Sequence, residues 1–283
     1  MNTRRLGAML GPLLLFVFVL LLSGCSQPFF YPDRIVVDTP EKYGMTYESV
    51  EIRAADGTAL HAWFFPTQGL PNGTVLYLHG TSQNVTAHFQ RVAWLTTVGF
   101  NVLALDYRGY GESAGLPSLH GAQLDIDAAM RTLLARPDVH RERIFVFGQS
   151  LGGALAIYYV AHSPYRAHVR AVIADSPFAD YRVIARERMA ALFIPRPLDW
   201  LATFLVDDEY SPRAAVAAIS PIPLLLIHGE RDGVIGPHHS RLLFDMAEQP
   251  KDFWIIPGAG HIEAMRRPLM RQRLTSFLLE HCG

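Results

Sequence analysis

At 283 residues the chain fits one large α/β domain or two small ones. Half of the residues are hydrophobic and 18% are charged, enough apolar material for a sizeable buried core. The formal net charge of −1, without a block of like charges, offers no footing for nucleic acid or a polyanionic substrate.

The N-terminus has its own character. Arg4 and Arg5 precede an unbroken apolar run, Leu13 to Leu22, and then comes Leu22-Ser23-Gly24-Cys25. A short basic start, an apolar stretch and small residues form the pattern of a secretory signal. The alternative is an uncleaved membrane anchor, because Leu6 to Leu22 stands at the short edge of the roughly 17–25 residues that span a bilayer. Gly11-Pro12 interrupts that span, and the Leu-Ser-Gly-Cys ending resembles the lipobox of bacterial lipoproteins. The resemblance implies cleavage after residue 24, a diacylglyceryl group on Cys25 and a membrane partner reached through that lipid. Ser26, where an Asp would retain the protein, implies sorting to an outer membrane if the cell has one. Thr3-Arg4-Arg5 is faintly similar to a twin-arginine signal, but the very apolar stretch counts against it. The only other cysteine is Cys282, so a lipidated Cys25 leaves no disulfide.

Residues 25–45 are expected to be a linker, since Pro28, Pro32, Pro40 and Phe29-Phe30-Tyr31 suit an extended tether. The domain proper is expected over 46–283. Val50–Arg53 and Leu60–Phe65 flank Asp56-Gly57, a hairpin signal. Val75–Leu78 predicts a strand, Phe89–Val98 a helix, Val102–Leu105 a strand and about Leu124–Ala135 a helix. Strand Ile144–Phe147 and helix Leu151–Ala161 follow, then strands at Val172–Ala174, Leu224–Ile227 and Phe253–Ile256. Short apolar strands alternating with helices predict an α/β fold, a mostly parallel sheet of about eight strands covered on both faces. The alternation lapses over about 178–221. Phe193, Ile194, Leu198, Trp200, Leu201, Phe204, Leu205 and Val206 there suggest a short helical cap over the strand ends, or else a completion of the core.

The chemistry concentrates at Gly148-Gln149-Ser150-Leu151-Gly152, between a predicted strand and a predicted helix. A strand, a sharp turn and a helix form the setting of a nucleophile elbow, where a Cβ at either glycine would meet backbone. A serine N-cap beside packing glycines is the plainer alternative. Serine needs a base and the base needs an orienting acid, which on this architecture follow in the order Ser, Asp or Glu, His. Asp232 lies just past Leu224–Ile227, and His261 leaves Phe253–Ile256 on Pro257-Gly258-Ala259-Gly260. Three residues after three strands thus meet at one sheet edge. His228 is an alternative base, although its place at a strand end favours a hydrogen bond within the acid loop, and Asp175 is an alternative acid. His238-His239 raises metal ligation, but adjacent residues do not share a helix face, which favours an exposed helix start and no metal. The oxyanion donors expected are the amides of Leu151 and of Thr81 in Leu78-His79-Gly80-Thr81-Ser82.

Taken together, His79-Gly80, Asp106-Tyr107-Arg108-Gly109-Tyr110-Gly111-Glu112-Ser113, Gly148 to Gly152, His228-Gly229-x-x-Asp232 and Gly260-His261 resemble the α/β-hydrolase superfamily, and within it the Bem46-like serine hydrolases. The resemblance runs from about Tyr47 to the C-terminus. It implies a Ser150–Asp232–His261 triad, an oxyanion hole at Thr81 and Leu151, and a structural role for the Asp106–Ser113 segment. Relatives often carry His-Gly-Asn where this chain has His-Gly-Thr, which keeps the amide and changes the side chain.

The expected activity is hydrolysis of a small-molecule ester or a thioester such as an acylated protein cysteine, without metal or organic cofactor. A peptidase or amidase on the same fold, and a non-catalytic envelope lipoprotein, are the rivals. Epoxide hydrolases and haloalkane dehalogenases are disfavoured, because Ser150 stands where they use Asp.

Overall fold

The computed structural model describes residues 29–191 and 206–283. The signal segment, Cys25 and the expected cap residues Phe193 to Leu205 lie outside the described residues. Among the described residues, no helix is long and apolar enough to cross a membrane.

Eight strands form one sheet in the order β1-β2-β4-β3-β5-β6-β7-β8. They are β1 (Glu48–Arg53), β2 (Ala59–Phe65), β3 (Gly73–Leu78), β4 (Phe100–Asp106), β5 (Ile144–Gln149), β6 (Val169–Asp175), β7 (Leu224–Gly229) and β8 (Lys251–Ile256). β2 pairs antiparallel with β1 and with β4; every other pairing is parallel. The α/β-hydrolase architecture expected from the sequence is present. Gly57 makes the β1–β2 turn at φ +85°, a backbone region natural to glycine.

Alternation along the strands builds two cores. Leu76, Leu78, Val146 and Leu226 face α2 (Leu119–Ala135) and α3 (Leu151–His162), meeting Ile126, Met130 and Leu155. Val75, Tyr77, Phe145 and Phe147 face the other way, in one cluster with Leu274 and Phe277 of the C-terminal helix α7 (Pro268–Glu280). Both faces are therefore covered, and function is left to the strand ends.

Three segments depart from expectation. The helix expected over Phe89–Val98 is instead a short helix α1 (Val85–His88) followed by two 3₁₀ stretches, Phe89–Arg91 and Ala93–Val98. β-branched residues at 92 and 96–98 disfavour a long α-helix, and the hydroxyls of Thr96 and Thr97 bond back to Ala93 O and Trp94 O. Helix α2 starts earlier than expected, because Ser118 accepts from the Gly121 amide and caps it. The expected tether is pinned to the domain where it is described. Phe30 is buried, the Phe29 ring meets Tyr181 at 4.9 Å, and the Tyr31 amide donates to Thr81 O at 3.0 Å.

Candidate active site

Ser150 stands at the turn from β5 into α3 with φ 56° and ψ −120°. Holding a non-glycine residue there costs about 1–3 kcal/mol, so the surroundings must enforce it. They do so by close approach. A Cβ on Gly148 would stand 2.1 Å from Gly152 O, and one on Gly152 would stand 2.1 Å from Leu78 O. The helix is thus pressed against the ends of β3 and β5. The Ser150 amide donates to Asp175 O at 2.8 Å, tying the turn to β6 as well.

Asp232 follows β7 and His261 follows β8. Their loops meet because Gly229 lacks a side chain: a Cβ there would lie 2.3 Å from Gly260 O. His261 Nδ1 is 2.7 Å from Asp232 Oδ2. The other carboxylate oxygen accepts from the Val234 and Ile235 amides at 2.8 and 2.9 Å. Burial opposes the Asp232 charge, but donors from His228, His261 and the Ile235 amide outweigh it and hold the group well below the usual carboxylate range. An ionised Asp232 makes Nδ1 of His261 the protonated nitrogen and leaves Nε2 as the basic one.

Neither alternative takes these places. His228 is fully buried, with Nδ1 at 2.7 Å from Ser240 Oγ and Nε2 at 2.9 Å from Ile235 O and 3.2 Å from Asp232 Oδ2. Asp175 sits in a buried chain of contacts, accepting from Gln149 Nε2 at 2.9 Å and from Ser176 Oγ at 3.2 Å, and makes no hydrogen bond to His261 among the described residues. Burial, partly offset by those donors, raises its pKa. Ser176 in turn accepts from the Ile262 amide at 3.3 Å, next to His261.

A Cβ on Gly80 would touch the Ser150 side chain, 3.4 Å from its Cβ and 3.9 Å from Oγ, so the loop after β3 lies over the serine. Among the described residues, the amides of Thr81 and Leu151 donate no hydrogen bond. The Thr81 carbonyl, by contrast, is doubly held, by the Tyr31 amide and by Tyr110 OH at 2.6 Å. Tyr107 OH holds His79 O at 3.1 Å, and Asp106 Oδ1 accepts from the Val85 amide at 2.7 Å. The Asp106–Ser113 segment therefore braces the loop that carries Thr81. A hydrogen bond from His228 within the acid loop and a structural role for the Asp106–Ser113 segment were both expected from the sequence; the particular contacts of Tyr107 and Tyr110 were not.

His238 and His239, at the start of α6 (His238–Met246), do converge despite being adjacent: their Nε2 atoms lie 3.0 Å from the two oxygens of Glu187 on α4 (Tyr181–Ala191). The Ala179 amide donates to His239 Nδ1 at 3.2 Å, which puts the ring proton on Nε2, donating to Glu187. That tautomer serves a hydrogen-bonded clasp and withholds the lone pair a metal would need.

Known proteins resemble this chain along most of its length. "Uncharacterized protein YfhR" of Escherichia coli (strain K12) is 38% identical, covering 89% of this chain and 86% of its own. The "Alpha/beta hydrolase domain-containing protein WAV2" of Arabidopsis thaliana is 32% identical over 82% of this chain and 74% of its own. "Protein bem46" of Schizosaccharomyces pombe is 28% identical over 88% and 82%. The chain belongs to the Bem46-like α/β-hydrolases. A family model described as "Serine aminopeptidase, S33" matches residues 69–207. Among solved structures, the Pyrococcus furiosus esterase Pf2001 superposes with a TM-score of 0.73 at 26% identity, covering 89% of this chain and all of that one. This Bem46-like chain is accordingly a hydrolase of the α/β fold.

Proposed function

We propose that this protein is a serine hydrolase that cleaves carboxylic ester or thioester bonds through an acyl-enzyme on Ser150. The observation that carries the reading is the 2.7 Å contact of His261 Nδ1 with a fully engaged Asp232 carboxylate, on the edge where Ser150 is held at φ 56°. His261 Nε2 takes the Ser150 proton as Oγ attacks the substrate carbonyl carbon, and the carbonyl oxygen becomes an oxyanion facing the Thr81 and Leu151 amides. Collapse of the tetrahedral intermediate expels the alcohol or thiol, which takes the proton from His261. Water, deprotonated by the same ring, then attacks the acyl carbon; the bond to Ser150 Oγ breaks, the carboxylic acid leaves, and His261 returns the proton to Oγ. Asp232 fixes the His261 tautomer and stabilises the imidazolium.

The likeness to an esterase supports ester chemistry, and the signal-like N-terminus supports a site of action at the envelope, anchored through lipid on Cys25. Reaction with a fluorophosphonate probe and hydrolysis of p-nitrophenyl esters of increasing chain length test the chemistry. Both are expected for the wild-type chain and lost in Ser150→Ala, and full activity of that variant on p-nitrophenyl acetate would overturn the reading. Loss of radiolabelled palmitate in Cys25→Ala tests the anchor.

The serine aminopeptidase description of the matching family model favours one second reading, hydrolysis of peptide bonds with the same machinery. An aminoacyl p-nitroanilide turned over faster than any p-nitrophenyl ester would select it.

A further inference from the structure

Beside the base loop lies a cavity of about 230 Å³ walled by two segments of opposite origin. One is the stretch after β3, supplying Gln90 and Arg91; the other follows His261 and supplies Ile262, Met265, Arg266 and, from α7, Arg271. Three arginines therefore line one small space. Like charges gathered in one place repel, and an anion between them turns that repulsion into attraction.

The carboxylates nearby do not balance them. Glu263 meets Arg266 at 3.4 Å, and its second oxygen is taken by the Gly260 amide. Asp38 reaches the cavity wall only through Gln90, and its oxygens are engaged by Lys42, Tyr43 and the Thr39 amide. Among the described residues, Arg91 pairs with no carboxylate; its Nη1 touches Ile262 O at 3.5 Å, and its buried Nε meets no hydrogen-bond partner there. A buried donor without an acceptor is costly and uncommon, and a bound anion is one partner that would satisfy it. Arg271 is fixed by its surroundings: Nε bonds Met265 O at 2.6 Å and the guanidinium lies 5.2 Å over the Trp94 ring.

We propose that this cavity binds a phosphate-type oxyanion, held by Arg91, Arg266 and Arg271. The planar fork of arginine matches two oxygens of such a group, and its weak hydration lowers the cost of burying it. The volume is below the roughly 300–1,000 Å³ of sites for drug-sized ligands and suits a single headgroup. Arg271 also lines a second cavity of about 460 Å³, whose wall mixes Trp94, Val98 and Pro268 with Thr97, Gln272, Thr275 and Ser276, and a tail carried by the headgroup would have to lie along it. Free phosphate and a phosphate carrying an acyl or alkyl tail share the same recognition. The assignment does not depend on the acyl-transfer chemistry.

Calorimetric titration of the full chain with inorganic phosphate and with hexyl phosphate, at constant ionic strength, tests it. Saturable binding is expected, weakened about tenfold or more in Arg91→Gln and in Arg266→Gln. The exposed Arg266 side chain makes its variant safe for folding. Tighter binding of hexyl phosphate assigns the site to a tailed headgroup, and equal affinities assign it to free phosphate. No saturable binding of either, or wild-type affinity in the Arg266→Gln variant, overturns the proposal.

Discussion

His228 Nε2 lies 3.2 Å from the Asp232 oxygen that also faces His261. A second histidine thus presses on the back of the carboxylate while remaining sealed from solvent, its other nitrogen fixed by Ser240. The carboxylate cannot turn without breaking four contacts, two from amides and two from rings. Its orientation is built in before substrate arrives.

Asp232→Asn should leave the fold intact and lower kcat by about three to four orders of magnitude, because an amide can donate to His261 Nδ1 and select the wrong tautomer. Steady-state kinetics on p-nitrophenyl esters, with circular dichroism as the control for folding, checks this. A loss of less than tenfold would contradict the role given to Asp232.

Gly152→Ala should destabilise the protein by about 3 kcal/mol or more, since the new methyl meets the main-chain oxygen of Leu78, which has no room to give way. Urea unfolding measures the effect. An alanine at Gly233, where a Cβ would meet nothing, should cost far less.

Tyr110→Phe should remove the 2.6 Å bond to the Thr81 carbonyl and lower stability by about 1 kcal/mol. The loop would keep its tie to Tyr31, so kcat should fall by less than the roughly 100-fold that follows outright loss of an oxyanion donor. A fall in kcat at unchanged folding stability would place Tyr110 in a different role.

His88 is buried with Nε2 on Ser82 O at 2.8 Å, and burial, with the charges of His79 and Arg91, lowers its pKa from 6.5 to about 3. The unfolded chain therefore takes up a proton that the folded one refuses, and stability is lost as pH falls from 6.5 towards 3. In His88→Gln, whose amide can still donate to Ser82 O, the unfolding midpoint should drop less over that interval. His239, shifted the same way by its burial, keeps part of the slope.

The elbow and the order of its partners were legible because each is local: a glycine pair around Ser150, and loops leaving apolar strands at Asp232 and His261. What escaped were relations between distant segments. Nothing near Tyr110 in sequence announces that its hydroxyl ends on Thr81 O, 29 residues away. The docking of Tyr31 against the same carbonyl was hidden because a proline-rich stretch looks alike whether free or laid along a surface. His238 and His239 converge because each ring reaches a different oxygen of one carboxylate, Glu187, which another helix supplies from about fifty residues away.

The pinned segment sets a reach. Three residues lie between Cys25 and Phe29, four steps of chain that span about 14 Å at full extension. With lipid on Cys25, the enzyme would work on a leash no longer than half the hydrocarbon thickness of a bilayer, with the segment that ends the leash fastened to the loop over Ser150. Such a protein patrols a plane, and what it meets is set by lateral diffusion in the membrane more than by concentration in the surrounding fluid.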